Sequence, residues 1–245
     1  MRLTDEQLRR FERDGFLLLR GFAEPARCDA ILEAAREEIE KRNPPIETEG
    51  EYTESDNPTL RRLRQVYDRR QVFRDWMREP EIRPALEQVL GETPVLTLAH
   101  HNSIMTKMPS TSTETCWHQD RRYWYFENDN LVSVWLALGE ETMGNGVLEF
   151  IPGSHRLGFS PERFDEKTCF LTRPPENAEL IAKKVHFDLH KGDVVVFHCR
   201  TLHHAFANRS DRPKIAFVYT VRGESNRPLP GTRSAAGAEI VLREA

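Results

Sequence analysis

Trp117-His118-Gln119-Asp120 is the stretch on which the reading of this chain turns. In an extended segment, residues i and i+2 point to one side, so the His118 imidazole and the Asp120 carboxylate reach toward a common point. Both side chains can then bind one metal ion. A third ligand has to come from elsewhere, and the best candidate lies downstream in Leu202-His203-His204-Ala205-Phe206-Ala207-Asn208. Two His and one carboxylate on one face of a metal leave the other face open, the arrangement that suits non-haem Fe(II).

Working outward, this stretch falls in a strand-rich half. Residues 95–98, 103–107, 131–138, 147–151, 185–189, 193–197 and 215–221 read as strands. Turn signals separate them, among them Gly144-Asn145-Gly146, Pro152-Gly153-Ser154, Lys191-Gly192-Asp193 and Ser210-Asp211-Arg212-Pro213. The N-terminal part reads differently. Thr4 is expected to cap a first helix with Gln7 completing a capping box, and Leu3 and Leu8 closing a hydrophobic staple. Residues 16–19 read as a short buried strand. A second helix is expected from Glu24-Pro25, with Cys28, Ile31, Leu32, Ala35 and Ile39 on one stripe, ending before Asn43-Pro44-Pro45. The acidic residues 44–60 read as a mobile surface loop or as a lid over a site. Residues 61–90 read as helical, with a break near Glu79-Pro80. Helices followed by many short strands predict a mainly β sandwich or barrel with helices packed outside. The expected organisation is one domain over 1–245: helical support in 1–92, a β core in 93–222 with an irregular insertion at 158–184, and a loop-like tail at 223–245.

Composition narrows the classes of function. The chain has 245 residues, 38% apolar, 30% charged, with a net charge of -4. That is enough for a sizeable core, and it gives no electrostatic reason to expect nucleic acid as a partner. No apolar run is long enough to cross a bilayer, and Met1-Arg2-Leu3-Thr4-Asp5-Glu6 has no signal-peptide core. The four Cys (28, 116, 169 and 199) show no CxxC spacing. They are expected to be reduced thiols of a cytoplasmic protein.

His203 and His204 follow one strand and precede the turn that ends at Pro213. In extended backbone they face opposite ways, so at most one joins His118 and Asp120. Arg212 lies nine residues beyond His203. If the turn folds a hairpin, the return brings its guanidinium beside the metal, where it can pair with a carboxylate in bidentate fashion.

These features, in their order, give the chain a resemblance to the phytanoyl-CoA dioxygenase family of Fe(II)- and 2-oxoglutarate-dependent oxygenases. The matching pieces are Leu3-Thr4 to Gly15-Phe16 with Gly21-Phe22, Lys107-Met108-Pro109, Trp117 to Asp120, Val132 to Leu138, Asn145 to Leu148 with Ile151 to His155, Lys191-Gly192-Asp193, and His203 with Asn208, Ser210 and Arg212. They span roughly residues 1–222. The resemblance implies a double-stranded β-helix, a cupin-like jelly roll. It implies His118, Asp120 and His203 as iron ligands, Arg212 on the far carboxylate of 2-oxoglutarate, and Trp135, Gln119 and Ser103 lining the same pocket. A basic residue before the strands, one of Arg61, Arg62 and Arg64, is expected to reach the cosubstrate. Ala205 stands where some members carry Ser, which removes one hydroxyl contact. Asp120 is present, whereas related halogenases carry Gly or Ala there, so hydroxylation is favoured. His155 is expected to be structural.

The resemblance also implies the cofactors: Fe(II), with 2-oxoglutarate and O2 as cosubstrates. The substrate is expected to be a small molecule. Arg121-Arg122-Tyr123-Trp124-Tyr125-Phe126 pairs cations with aromatic surface, which suits an organic acid. There is no phosphate-binding glycine loop to suggest a coenzyme A thioester. Two other readings stand beside hydroxylation: a metal-binding or sensing module without oxygenase activity, and the same cofactors with a desaturation, epimerisation or cyclisation outcome.

Overall fold

Thr4 opens the first helix as its sequence predicts. Its hydroxyl accepts from the Gln7 backbone N–H and the Gln7 side chain accepts from the Thr4 N–H, a complete capping box. The computed structural model describes residues 1–243. In chain order it contains helix α1 (Asp5–Asp14), strand β1 (Phe16–Leu19), helix α2 (Pro25–Lys41), strand β2 (Ile46–Thr48), helix α3 (Glu49–Thr53), strand β3 (Leu60–Arg64), and helices α4 (Gln71–Met77) and α5 (Arg83–Leu90). Strands β4 (Pro94–Lys107), β5 (Thr115–His118), β6 (Leu131–Ala137) and β7 (Leu148–Phe150) follow, then helix α6 (Pro175–Ile181). The chain continues with β8 (Val185–His186), β9 (Val194–His198), β10 (His203–Ala205), β11 (Lys214–Gly223) and β12 (Glu239–Val241).

Two antiparallel sheets form from these strands. The larger runs β1-β9-β6-β11-β4-β3-β2, with β12 also paired to β4; the smaller runs β5-β10-β7-β8. Strand β6 shows why they stack. All seven of its residues are buried. Val132, Val134 and Leu136 join a core with the helices, while Trp135 and Ala137 join a second core with Phe150, Leu148 and Ala205 of the smaller sheet. The period-2 alternation thus divides one strand between two cores. Strand β11 does the same, with Phe217, Tyr219 and Val221 outward and Ala216 and Val218 inward. The result is a jelly-roll core with helices on the outer face of its larger sheet, as the sequence led one to expect.

The insertion 158–184 is not wholly irregular, since it carries α6, and three further segments depart from expectation. Residues 60–64 are strand, not helix: Leu-Arg-Arg-Leu-Arg pairs with β4 on one side and β2 on the other. Its leucines are buried in the core, and buried Arg61 donates to Glu49 Oε2 at 3.0 Å. Tertiary pairing overrides a charge-rich sequence that carries no strand propensity. Residues 44–60 are not a featureless loop, because Thr48 caps α3 through a second capping box with Glu51. The tail is not wholly loop either, since β12 pairs with β4.

The loop-to-strand joint near the N-terminus is also tightly built. Gly15, at φ 83°, closes α1. Its carbonyl accepts from the His198 N–H and the Thr201 hydroxyl. A Cβ at Gly15 would lie 2.3 Å from His155 Nδ1, so only glycine fits. This contact fits the structural role expected of His155. Nearby, the His198 Nδ1 accepts from the Arg200 N–H, which requires a neutral ring. Burial, then His155, push His198 from 6.5 down to about 4. The unfolded chain therefore takes up a proton near pH 6.5 that the folded chain refuses until about pH 4. Stability falls as pH drops through that window, by about 2 kcal/mol at about pH 5 for this group. Urea unfolding at neutral pH and at about pH 5 should show that loss, and His198→Gln should reduce it by about the same amount.

Candidate metal centre

Strands β5 and β10 pair antiparallel with His118 directly opposite His203. The register alone brings the two imidazoles together, with ring centroids 4.1 Å apart. Asp120 follows one pleat after His118, at the start of a 3-10 turn over Asp120–Tyr123. All three are buried, and one ligand atom from each lies within 4.8 Å of the others.

The hydrogen bonds fix which atoms face the common point. His118 Nδ1 lies 2.7 Å from the Cys116 carbonyl and His203 Nδ1 lies 3.0 Å from the Thr201 carbonyl. A carbonyl only accepts, so each Nδ1 carries the proton and each Nε2 presents a lone pair. Both Nε2 atoms stand 3.7 Å from Asp120 Oδ1, beyond hydrogen-bonding distance. Asp120 Oδ2 accepts from the Ser133 hydroxyl at 2.7 Å. Burial, then His203 and Arg122, hold the His118 imidazole well below its ordinary range, and burial lowers His203 against the pull of Asp120. Burial alone would raise Asp120, but His101 and His203 outweigh it and keep the carboxyl ionised. Three lone-pair donors turned toward one another, with no proton between them, are a donor set that lacks only a cation.

Of the other expected site residues, some converge and some do not. Trp135 faces the space between the sheets and donates from Nε1 to Glu141 Oε1 at 3.0 Å. Ser103 is buried on β4, opposite Val218 of β11. Gln119 turns away, its amide donating to the Arg200 carbonyl at 2.5 Å, because neighbours in extended backbone face opposite sides. His204 is likewise turned outward, between Glu149 and Glu114 and stacked on Trp117. Arg212 is not brought to the site. Its side chain is exposed in the turn that Pro213 ends, before the inward alternation of β11 begins. Lys214, the first residue of β11, is buried instead. Its Nζ lies 5.0 Å from the Trp135 ring centroid and 3.2 Å from Glu141 Oε2. The inward series Lys214, Ala216, Val218 was the signal for it.

His101 and Ser133 were also missed. Residues 98–101 bulge out of the β4–β11 ladder, whose register jumps from Asn102↔Tyr219 to Thr97↔Thr220. The bulge carries His101 to within 3.3 Å of Asp120 Oδ1. A cavity of about 700 Å³ opens onto His118, Asp120 and His101, walled by Arg61, Arg64, Arg122, Tyr123 and Trp124, among others.

Cys116 and Cys169 form a disulfide, which corrects the expectation of four reduced thiols. It ties β5, two residues before His118, to the insertion 53 residues away, a spacing no local motif reveals. Cys28 and Cys199 are free and buried. Denatured without reductant, the chain should release two reactive thiols. With reductant it should release all four.

Among the described residues, no helix is long and apolar enough to cross a membrane. Residues 11–216 match the family model described as phytanoyl-CoA dioxygenase. An ectoine dioxygenase from Bordetella parapertussis is 27% identical over 244 residues, covering 93% of this chain and 77% of the relative. Among solved structures, EctD from S. alaskensis with 2-oxoglutarate and 5-hydroxyectoine superimposes with a TM-score of 0.80 at 21% identity, over 98% of this chain and 86% of that one. The SnoN epimerase from nogalamycin biosynthesis does so with a TM-score of 0.77 at 23% identity, over 98% and 92%.

Proposed function

Because the chain belongs to the phytanoyl-CoA dioxygenase family, Fe(II)- and 2-oxoglutarate-dependent oxygenases, we propose that His118, Asp120 and His203 hold its iron and that it hydroxylates a small organic substrate carrying a carboxylate. One observation supports the ligand assignment above the rest. The His118 and His203 rings are locked through Nδ1 so that both Nε2 atoms face Asp120 Oδ1. When bound, iron with 2-oxoglutarate and O2 supplies an oxidation of a substrate C–H bond coupled to decarboxylation of the keto acid to succinate.

The chain's own residues do the rest. The Cys116 and Thr201 carbonyls fix the tautomers, and Ser133 orients the Asp120 carboxylate. Lys214 is the group we assign to the far carboxylate of 2-oxoglutarate, in place of Arg212. It sits beside Trp135 on the inward face, opposite Lys107 across the β4–β11 ladder. Lys107 makes no ion pair among the described residues, and burial followed by Lys214 lowers its pKa to about 6. Lys214 is buried and paired with Glu141, so a dicarboxylate brought between the sheets meets a lysine already desolvated. Trp135 and Ser103 flank that space on β6 and β4.

The acidic substrate is read from Arg122. Its guanidinium stacks over Tyr123 at 4.4 Å, has no carboxylate partner among the described residues, and keeps a buried Nε without a hydrogen bond. The ectoine and phytanoyl-CoA substrates named for relatives are not carried over. A cytoplasmic setting requires Cys116 and Cys169 to be reduced there, because cytosolic thiol systems open most disulfides. The reading is tested by a panel of small carboxylic acids and their neutral amides. Acids should stimulate succinate release at least about tenfold more than amides, the worth of one charge-assisted contact. Equal stimulation would sink the acidic-substrate reading.

A further inference from the structure

Two arginines on the cavity wall have no partner that explains their place. Arg61 donates to Glu49 and stacks on Tyr52, and Arg62 donates to Glu47. Arg64 lies opposite Ser103 on the inward-facing side of β3 and lines the cavity. Its guanidinium makes no hydrogen bond or ion pair among the described residues. Arg233 comes from the far end of the chain and lines the same cavity, equally without a partner among the described residues. The nearest carboxylates are already engaged. Glu47 is taken by Arg62 and by Arg61 at 3.6 Å, and Glu51 by the Thr48 cap.

Arg233 is not placed there by a loose tail. Ser234, fully buried, accepts from the Tyr125 N–H at 2.8 Å and meets His100 Nε2 at 2.8 Å. Gly237 approaches the β4 bulge so closely that a Cβ would lie 2.5 Å from the Ala99 nitrogen. Strand β12 then pairs with β4. The tail is thus docked on the same bulge that delivers His101 to Asp120. Arg233 lies beyond residues 11–216, outside the segment that the family model matches. Burial, then Arg64 and Arg62, lower the Arg233 pKa, with Glu47 pulling less strongly the other way.

We propose that Arg64 and Arg233 form a seat for an oxyanion of the substrate, a carboxylate or a phosphate, at the outer wall of the iron cavity. Two planar forks present paired N–H donors of the kind that bind such groups in bidentate fashion. The seat rests on the reading of His118, Asp120 and His203 as the iron site, since it is the same cavity that gives the anion its meaning. With Arg122 nearer the ligands, the wall then selects substrates with acidic groups at two positions.

The test uses the metal-free full-length protein at low ionic strength, titrated calorimetrically with inorganic phosphate and, in a second arm, with acetate. Saturable binding of either anion is expected, and the tighter one identifies the head group. Arg64→Gln and Arg233→Gln should each weaken binding about tenfold, Arg233→Lys should recover part of it, and Arg36→Gln, on the exposed face of α2, should change nothing. The inference is overturned if neither anion binds. It is also overturned if both Gln variants bind like wild type, or if one equivalent of Mn(II) and 2-oxoglutarate displaces the anion, which would put it in the cosubstrate's seat. Mn(II) titration of the same samples separates the two readings. Mn(II) binding without anion binding ends the seat alone, whereas no Mn(II) binding ends the iron-site reading on which it rests.

Discussion

Asp120→Ala is expected to fold normally, to lose iron, and to lose at least three orders of magnitude of 2-oxoglutarate turnover. Removing a group that merely supports a metal ligand costs about 10- to 100-fold, and Asp120 is assigned as the ligand itself. It also supplies the only negative charge of the triad. Without metal, the substitution removes a buried carboxylate that His101 and His203 hold ionised and strands the Ser133 hydroxyl that donates to it, so the apo-protein should melt somewhat below wild type. The two proteins should diverge when metal is added. Wild type should rise in Tm with Fe(II) or Mn(II) concentration, because only the folded chain binds, and Asp120→Ala should not. Calorimetric scans with and without metal, beside a succinate assay, check both halves. A variant that still gained stability from metal would place the ion elsewhere.

The second large effect is expected at Lys214, where stability and function can be pulled apart. Lys214→Met leaves Glu141, fully buried, without its cation; among the described residues only Trp135 Nε1 still donates to its side chain. Removing one partner of a buried pair costs about 3–5 kcal/mol. Adding Glu141→Gln removes the stranded charge while keeping an acceptor for Trp135. The double variant should therefore regain most of the lost stability in urea unfolding. If Lys214 holds the far carboxylate of 2-oxoglutarate, the double variant should still need at least about tenfold more cosubstrate for half-saturation. Recovery of both properties would make Lys214 a structural partner of Glu141 and nothing more. Arg212→Ala, exposed in its turn, should change neither.

The difference between Arg212 and Lys214 shows where sequence reasoning was sound and where it ran out. What depends on neighbours a few residues apart was readable. The Thr4–Gln7 capping box, the α2 stripe and the inward pairing of His118 with Asp120 are all set by local periodicity. The alternation of β6 and β11 was enough to predict a closed β core. Strand geometry lets only one of His203 and His204 face inward, and the choice of His203 came from the family resemblance and not from local periodicity. What depends on register between distant segments was not readable. Which residue after the 206–213 turn first points inward is decided by where the β4–β11 ladder begins. The bulge at 98–101 that delivers His101, the strand made from Leu-Arg-Arg-Leu-Arg, and the Cys116–Cys169 pair all arise from contacts between parts of the chain remote in sequence. The docking of Arg233 has the same origin: a buried serine and a close glycine in a tail whose composition resembles a loop.

The central claim, that this cavity binds Fe(II) and 2-oxoglutarate together, has one direct measurement. Metal-free protein is given Fe(II) and then 2-oxoglutarate under anaerobic conditions, and the visible spectrum is followed for metal-to-ligand charge-transfer absorption. A band that appears only with both additions, vanishes in Asp120→Ala and requires more 2-oxoglutarate in the Lys214→Met/Glu141→Gln double variant is the predicted result. Well-folded, iron-loaded protein that shows no band at saturating 2-oxoglutarate would contradict the account and leave a metal-binding module in its place.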